Sequence, residues 1–600
     1  MLHSVIRKLR KALLPPESRQ ELLLRTLYHR FNATRFSVNR QQRKAEASYL
    51  EWRQVQARQA VPTVDDCEHR PGVTFLLSIG AGEGEAALLT IQSLRKMRIN
   101  HWQMIPILGT GVEWKRISAQ CEGDTRVKAP ISPGQLTLLK LTDVVTDFVI
   151  FCTAGDVFQD SLLNYFHAAL ESSPAADVYY YDCEYGTGES GNPIPLFKPA
   201  ALSPELMLSV NYLSRSFVRK TSLKRLTGHP GSYADLMVCE FDLLLELIEE
   251  DAAFHHIPHL LVTQAALTEE IDTAINAVIN SHYLECGFQD VLVEGKGENR
   301  HIRWNFGEPS VSLIILNRDH GSWLKTLVSS IFTLTDYPNY SLIVVDNQST
   351  ETEVIAYYAE LEKDSRVKIV PFNREFNYST AINIGVAHSD ADVVVLLNND
   401  MQVTDPRWLS ELVQWALHPG IGVVGAKLLH KNHSIQHAGI ILGMNGFIGH
   451  LYLNAPEHYH GLAGAVDWYR NFYALTGACQ AMRRDLFHQV GGYDERFKLA
   501  FGDIDFCLRV VKAGYRNLYN PYASLIHYEG GSRGYETPVE DILLGYDELK
   551  TWLEKDDPHF SPNLTYTPIP RCNFNPGAVN DRLANIEHRK QSLISGLKTE

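Results

Sequence analysis

The chain has 600 residues, too long for one hydrophobic core and suited to two or more domains. Hydrophobic residues make up 45% and charged residues 21%, which excludes a disordered chain, and a formal net charge of -14 argues against a general nucleic-acid binder. The charge is uneven, because residues 1–60 hold 13 Lys+Arg against 4 Asp+Glu.

The nine cysteines are scattered, odd in number and form no C-x-x-C pair, which suits a reducing cytoplasm and gives no zinc signature. No apolar run approaches the roughly 20 residues of a membrane span. The opening MLHSVIRKLRKALLPP lacks the long apolar stretch of a signal peptide.

In chain order, residues 1–70 form a basic helical segment. Leu2, Val5, Ile6, Leu9, Leu13 and Leu14 fall near one face beside Arg7, Lys8, Arg10 and Lys11, and Pro15-Pro16 stops this first helix. Two readings stand: a peripheral anchor on an anionic membrane surface through residues 1–60, or a helix packed on the domain behind it. An α/β pattern over 71–265 begins with VTFLLSI, a helix near Glu85–Met97, WQMIPIL and DFVIFC, and ends near LLVTQ. A partly helical linker covers 266–308. A second α/β pattern fills 309–540: VSLIILN, a helix over 324–334, SLIVVDN, a helix over 353–361, VKIVPF, a helix over 378–388, then VVVLLN. Strand and helix alternate as in βαβ units. Residues 541–600 are a helical and extended tail. FVIFCTAGDVFQDSLL and VVVLLNNDMQVTDPRWL share a plan of apolar strand, polar cluster ending in Asp, and helix start, which points to two related domains in tandem.

Ligands of open α/β sheets bind at the carboxyl ends of the strands. Four such ends in 309–540 carry chemistry: Asp346 in VVDNQS, Asp400 in LLNND, Asp503 and Asp505 in FGDIDFCLR, and His527 in SLIHYEGGS. A rim carboxylate suits a hard cation, which takes oxygen ligands and a substrate diphosphate. A separate Asp can act as general base for a hydroxyl nucleophile. A strand-end Asp is otherwise a cap or turn residue, and Asp505 fits that role. PEHYHG, with His458 and His460, suits either a metal or a loop near the acceptor, the loop being favoured.

With these motifs in order (SLIILNRDH, VVDNQS, NREFNYSTAINIG, LLNNDMQV, IQHAGIILG, TGACQAMRRDLFHQVGGYDERF, FGDIDFCLR, HYEGGS), residues 309–540 resemble a family 2 glycosyltransferase of the GT-A fold. The fold class expected is therefore α/β, with two tandem GT-A-like domains behind a helical segment. The resemblance implies inverting transfer from a nucleotide-diphosphate sugar to a glycan or lipid-linked saccharide, as in bacterial surface-polysaccharide synthesis. It assigns Asp503 as the base, and Asp400 and His527 as ligands of Mn2+ or Mg2+. Asp346, Asn347, Asn383, Asn398 and Asn399 fall to the nucleotide sugar. Two departures are visible: Gly502 precedes Asp503 where the family has a second acid, and Asn398 replaces the first Asp of D-x-D. N-N-D resembles rhamnosyltransferase-like members. The implied site of action is the cytoplasm, peripheral to the inner face of the membrane.

Residues 71–265 resemble the same family with the chemistry worn away. Thr153-Ala154-Gly155-Asp156 keeps one acid, Glu240 stands near the base position, Thr263 takes the place of the metal histidine, and no nucleotide-binding Asp strand is recognisable between WQMIPIL and DFVIFC. This domain is expected to be non-catalytic. Rival readings are a non-catalytic sugar-nucleotide or glycan-binding scaffold, a processive synthase and a nucleotidyltransferase. The synthase lacks its membrane helices and Q-x-x-R-W motif; the nucleotidyltransferase lacks a Gly- and Lys-rich phosphate loop at LNRDHGSW.

Overall fold

The computed structural model describes residues 35–64, 70–132, 144–187, 192–228, 235–528, 537–575 and 579–597. They fall into two compact units. The amino-terminal unit comprises Arg53–Trp304 and Leu462–Gly464, and the carboxyl-terminal unit comprises Asn305–Gly461, Ala465–Glu600 and the chain up to Trp52.

The carboxyl-terminal unit is built on a ten-stranded mixed sheet. From one edge, its main path runs Val367–Pro371, Tyr340–Asp346, Val311–Asn317, Val393–Asn398, Cys479–Arg483, Ile421–Leu429, Arg516–His527 and Met401–Val403. The first four are parallel. Val393–Asn398 then meets Cys479–Arg483 antiparallel. Val393–Asn398 is thus central, but parallel to its neighbour on one side only. Its five residues from Val393 to Leu397 are buried on both faces, which explains why Val and Leu continue without alternation.

The amino-terminal unit carries an eight-stranded sheet with the path Trp102–Leu108, Val73–Ile79, Phe148–Thr153, Phe217–Arg219, Val178–Thr187, Phe254–Gln264, Val157–Phe158. Strand for strand, this repeats the larger sheet without its outer strand Val367–Pro371. The shared order makes WQMIPIL the counterpart of the strand that ends in Asp346. Ile79 pairs with Leu108 as Asn317 pairs with Asp346, so Leu108 takes the place of the aspartate.

Two segments add to the sequence expectation. The 266–308 linker is folded, as the helix Glu269–Glu285 and a hairpin of Gln289–Glu294 with His301–Asn305. The helix Arg35–Gln56 is not a free basic arm, since Ala45, Tyr49 and Trp52 form a buried stripe. Trp52 Nε1 donates to the Asn573 carbonyl at 3.1 Å, and the Cys572 N–H donates to Ser48 Oγ at 3.1 Å. The helix expected before Pro15-Pro16 lies outside the described residues. Among the described residues, no helix is long and apolar enough to cross a membrane.

The tail expected to begin at Asp541 belongs to the fold of this unit. Asp541, on the helix Val539–Glu548, is fully buried and accepts from the N–H groups of Lys498, Leu499 and Ala500 at 3.0, 2.7 and 2.8 Å. It fixes the loop that leads into the helix bearing Asp503. Asp541→Ala leaves these donors unsatisfied and is expected to cost about 3 kcal/mol or more of stability. Chemical denaturation of the purified variant measures it.

Candidate active site

The strand ends of the larger sheet gather the polar residues. Asn317, 3% exposed, donates to Tyr358 Oη at 2.7 Å and accepts from Asn399 Nδ2 at 2.7 Å. Asp346, one strand over, accepts from Tyr358 Oη at 2.9 Å and from the Ser349 N–H at 3.2 Å. Asn347 gives its Nδ2 to the carbonyls of Phe372 and Arg374, while its Oδ1 is buried without a hydrogen-bond partner. Asp319 accepts from the Glu351 and Thr350 N–H groups, and these hold its carboxyl below the usual range. Asp319 and His320 both lie at positive φ, 51° and 52°, a conformation uncommon outside glycine. Burial pushes the Tyr358 hydroxyl up, so it serves as a neutral donor to Asp346.

Asp400 and His527 meet through pairing of the short strand Met401–Val403 with the last long strand, which sets Met401 opposite His527. The two residues are 4% and 5% exposed, with His527 Nε2 3.3 Å from Asp400 Oδ1 and 3.5 Å from Asn398 Nδ2. His527 Nδ1 is buried without a hydrogen-bond partner. A carboxylate oxygen, an imidazole nitrogen and an amide therefore converge at one strand rim, a donor set that fits Mn2+ and, less well, Mg2+. Asn399 faces Asn317 instead, inside the rim.

Asp503 is the second residue of the helix Gly502–Lys512, whose positive end favours a carboxylate. Its Oδ2 accepts from the Gly477 N–H at 2.7 Å. The next residue, Ala478, accepts from the Asn398 N–H at 3.0 Å, so two consecutive residues connect Asp503 to the N-N-D rim. The departure at Gly502 has a steric cause: a Cβ there would lie 2.7 Å from Ser379 Oγ, which is itself tied to the Phe497 carbonyl. Any side chain there would have to displace Ser379.

Other candidates have local roles. Asn383 uses both ends of its amide on Tyr493, donating at 2.9 Å and accepting at 2.8 Å, and also donates to Glu495. Asp505 pairs with Arg509 at 2.8 Å, while burial raises its carboxyl. His458 pairs with Asp467 at 2.8 Å. The residues the sequence did not single out are Asn317, Asp319, Tyr358, Asp541 and the pair His437–His450, whose Nδ1 atoms lie 2.9 Å apart. Burial, then His450 and His527, pull His437 well below the usual histidine range. IQHAGIILG marked the segment of His437 but not this contact.

Residues 310–491 match the family described as Glycosyl transferase family 2. This chain carries a family 2 glycosyltransferase domain. The match stops short of Asp503 and His527. The chain is 32% identical over 436 residues to the O-antigen biosynthesis protein RfbC of Myxococcus xanthus, covering 70% of this chain and 34% of that protein. It is 28% identical over 239 residues to N-acetylglucosaminyl-diphospho-decaprenol L-rhamnosyltransferase of Mycobacterium tuberculosis, covering 36% of this chain and 74% of that protein. The chain therefore spans only about a third of the length of the first of these relatives. Among solved structures, a Pyrobaculum calidifontis mannosyltransferase in complex with GDP-Man and Mn2+ is similar at 15% identity and a TM-score of 0.33, over 49% of this chain and 75% of that one. The smaller sheet repeats the strand order of this domain's sheet.

Gly502→Ala is expected to lose about 1–3 kcal/mol through the Ser379 clash. Much of this loss should disappear in the Gly502→Ala, Ser379→Gly pair, and a double-mutant cycle of denaturation midpoints measures the coupling.

Proposed function

We propose that the carboxyl-terminal unit transfers a sugar, with inversion, from a nucleotide-diphosphate donor to a glycan hydroxyl. The observation that carries this is the Asp400–His527 contact at the strand rim, joined to Asp503 through Gly477 and Ala478. Asp346 and the buried, unpartnered Oδ1 of Asn347 face the nucleotide base and ribose. Asp400 and His527, with Asn398 beside them, would hold Mn2+ or Mg2+. The bound ion supplies neutralisation of the departing diphosphate.

Asp503 takes the proton from the acceptor hydroxyl. The acceptor oxygen forms the new bond to the anomeric carbon from the face opposite the diphosphate, and the old carbon–oxygen bond breaks with its electron pair leaving on the diphosphate. The Gly477 N–H and the helix end keep Asp503 oriented. Asn383 acts at a distance by fixing the Tyr493 loop rather than touching the donor, because both ends of its amide are committed to Tyr493.

The names of the relatives support a surface polysaccharide as product, a deoxyhexose such as rhamnose as the sugar, and a lipid-linked saccharide as acceptor. Residues 1–60 would then bring the enzyme to an anionic membrane face. The amino-terminal unit is non-catalytic in this reading and serves as a scaffold, its nucleotide-side aspartate replaced by Leu108.

Asp503→Asn is expected to keep donor binding and to lower transfer by about 100- to 10,000-fold, the usual contribution of a positioned base. Asp400→Ala is expected to lose metal-dependent donor binding. Calorimetric titration with UDP-, GDP- and dTDP-sugars in Mn2+, together with transfer assays, checks both. Unimpaired transfer by Asp503→Asn would remove the base assignment.

A further inference from the structure

The two sheets place an aspartate at the same point. Asp156 and Asp400 each follow the third strand of the shared order and directly precede the short strand that pairs with the last long one. Val157 pairs with Thr263 as Met401 pairs with His527. The histidine is therefore replaced by threonine at the same register, and Thr263 Oγ1 turns to Glu184 at 2.9 Å.

What faces Asp156 is a protein cation. Arg215 Nε lies 2.9 Å from Asp156 Oδ2, and Nη2 lies 3.2 Å from Oδ1, a two-pronged pair. Arg215 is 2% exposed and Asp156 is fully buried. The remaining guanidinium nitrogen, Nη1, donates to Ser214 Oγ at 2.7 Å. Asp156 is also held by the N–H groups of Thr153 and Ala265 at 2.9 and 2.8 Å. Arg215 takes a positive φ of 65°, an uncommon conformation for a residue with a side chain, which its contacts to Asp156 and Glu240 hold in place.

Glu240, expected near the base position, completes the same network. Its Oε1 accepts from the Arg215 N–H at 2.7 Å and its Oε2 from Ser214 Oγ at 2.8 Å. It sits inside the helix Leu236–Glu249, whose amino-terminal cap is Asp235. Burial raises the Glu240 carboxyl to about 7, with Arg215 opposing. The groups around Asp156 and Glu240 are Arg215, Lys198, Cys152, Cys183 and Tyr181. Lys198 Nζ is buried without a hydrogen-bond partner.

We propose that Arg215 is a permanent, tethered cation in the position that a divalent ion takes in the carboxyl-terminal unit. The amino-terminal rim therefore holds no metal–diphosphate, and the chain carries one metal-dependent donor site, not two. The count of sites rests on the proposed function; the role of Arg215 does not. The donor set supports it: Asp156 has both oxygens committed, Thr263 is turned away, and the guanidinium fills the cation position. A divalent ion does not fit beside it.

Two measurements on the full chain separate these claims. The first counts bound Mn2+ by electron paramagnetic resonance with UDP present, in wild type, Asp400→Ala, and Asp400→Ala with Asp156→Asn. One ion in wild type and none in Asp400→Ala is expected. An ion that survives Asp400→Ala and vanishes with Asp156→Asn would overturn the proposal. One that survives both lies elsewhere, for instance at the exposed Glu249, His282 and Cys286 group, and leaves the Asp156 rim metal-free. No ion in wild type would count against the proposed function instead. The second measurement is the melting temperature of Arg215→Met, Asp156→Leu and the pair. Arg215→Met is expected to melt lower or fail to fold, with the pair recovering, because the unpaired buried carboxylate is what destabilises. Losses that simply add would overturn the cation role, whatever the other unit binds.

Discussion

A carboxylate buried at the carboxyl end of a sheet strand must be matched by positive charge, and both sheets are organised around that requirement. In the amino-terminal unit the match is internal. Arg215 grips Asp156 with two nitrogens and commits a third to Ser214, so the charge is neutralised within the protein. In the carboxyl-terminal unit Asp400 faces the His527 imidazole at 3.3 Å, with the Asn398 amide beside it. That arrangement suits an exchangeable cation arriving with its diphosphate. One scaffold thus supports two solutions to one electrostatic problem.

Around this rim, backbone constraints do much of the positioning. Gly477 permits the approach of its N–H to Asp503, since a Cβ there would lie 3.0 Å from Asp503 Cβ. Gly502 lets Ser379 reach the Phe497 carbonyl under the same helix end. Asp541 then fixes the intervening loop from a helix some 40 residues later in the chain. Gly502 is thus closely packed, and Asp503 is the carboxylate that this helix end presents.

Much of this was legible in the sequence, for identifiable reasons. The strands VTFLLSI, VSLIILN and VVVLLN are apolar on both faces, and turn residues bound them, so period and length gave their extents. Asp400, His527 and Asp503 stood in ordered motifs, and the structure places all three at strand or helix ends. Other features carry no local signal. WQMIPIL ends in leucine where SLIVVD ends in aspartate, so only its pairing with Val73–Ile79 identifies the two as counterparts. Asp541 looked like the start of a tail because its partners are backbone N–H groups, which have no residue identity. Tyr358 lies on the outer helix Thr352–Leu361, and nothing in its neighbours announces a reach to Asp346. Arg215 lies 59 residues from Asp156, so only the fold joins them.

The most direct measurement is anomalous diffraction at the manganese edge from crystals of the full chain soaked with Mn2+ and UDP. The expected result is a peak between Asp400 and His527, and none between Asp156 and Arg215. A peak at Asp156, or a rim at Asp400 that stays empty while UDP is bound, would contradict the central claim that the two strand-end carboxylates are neutralised in different ways.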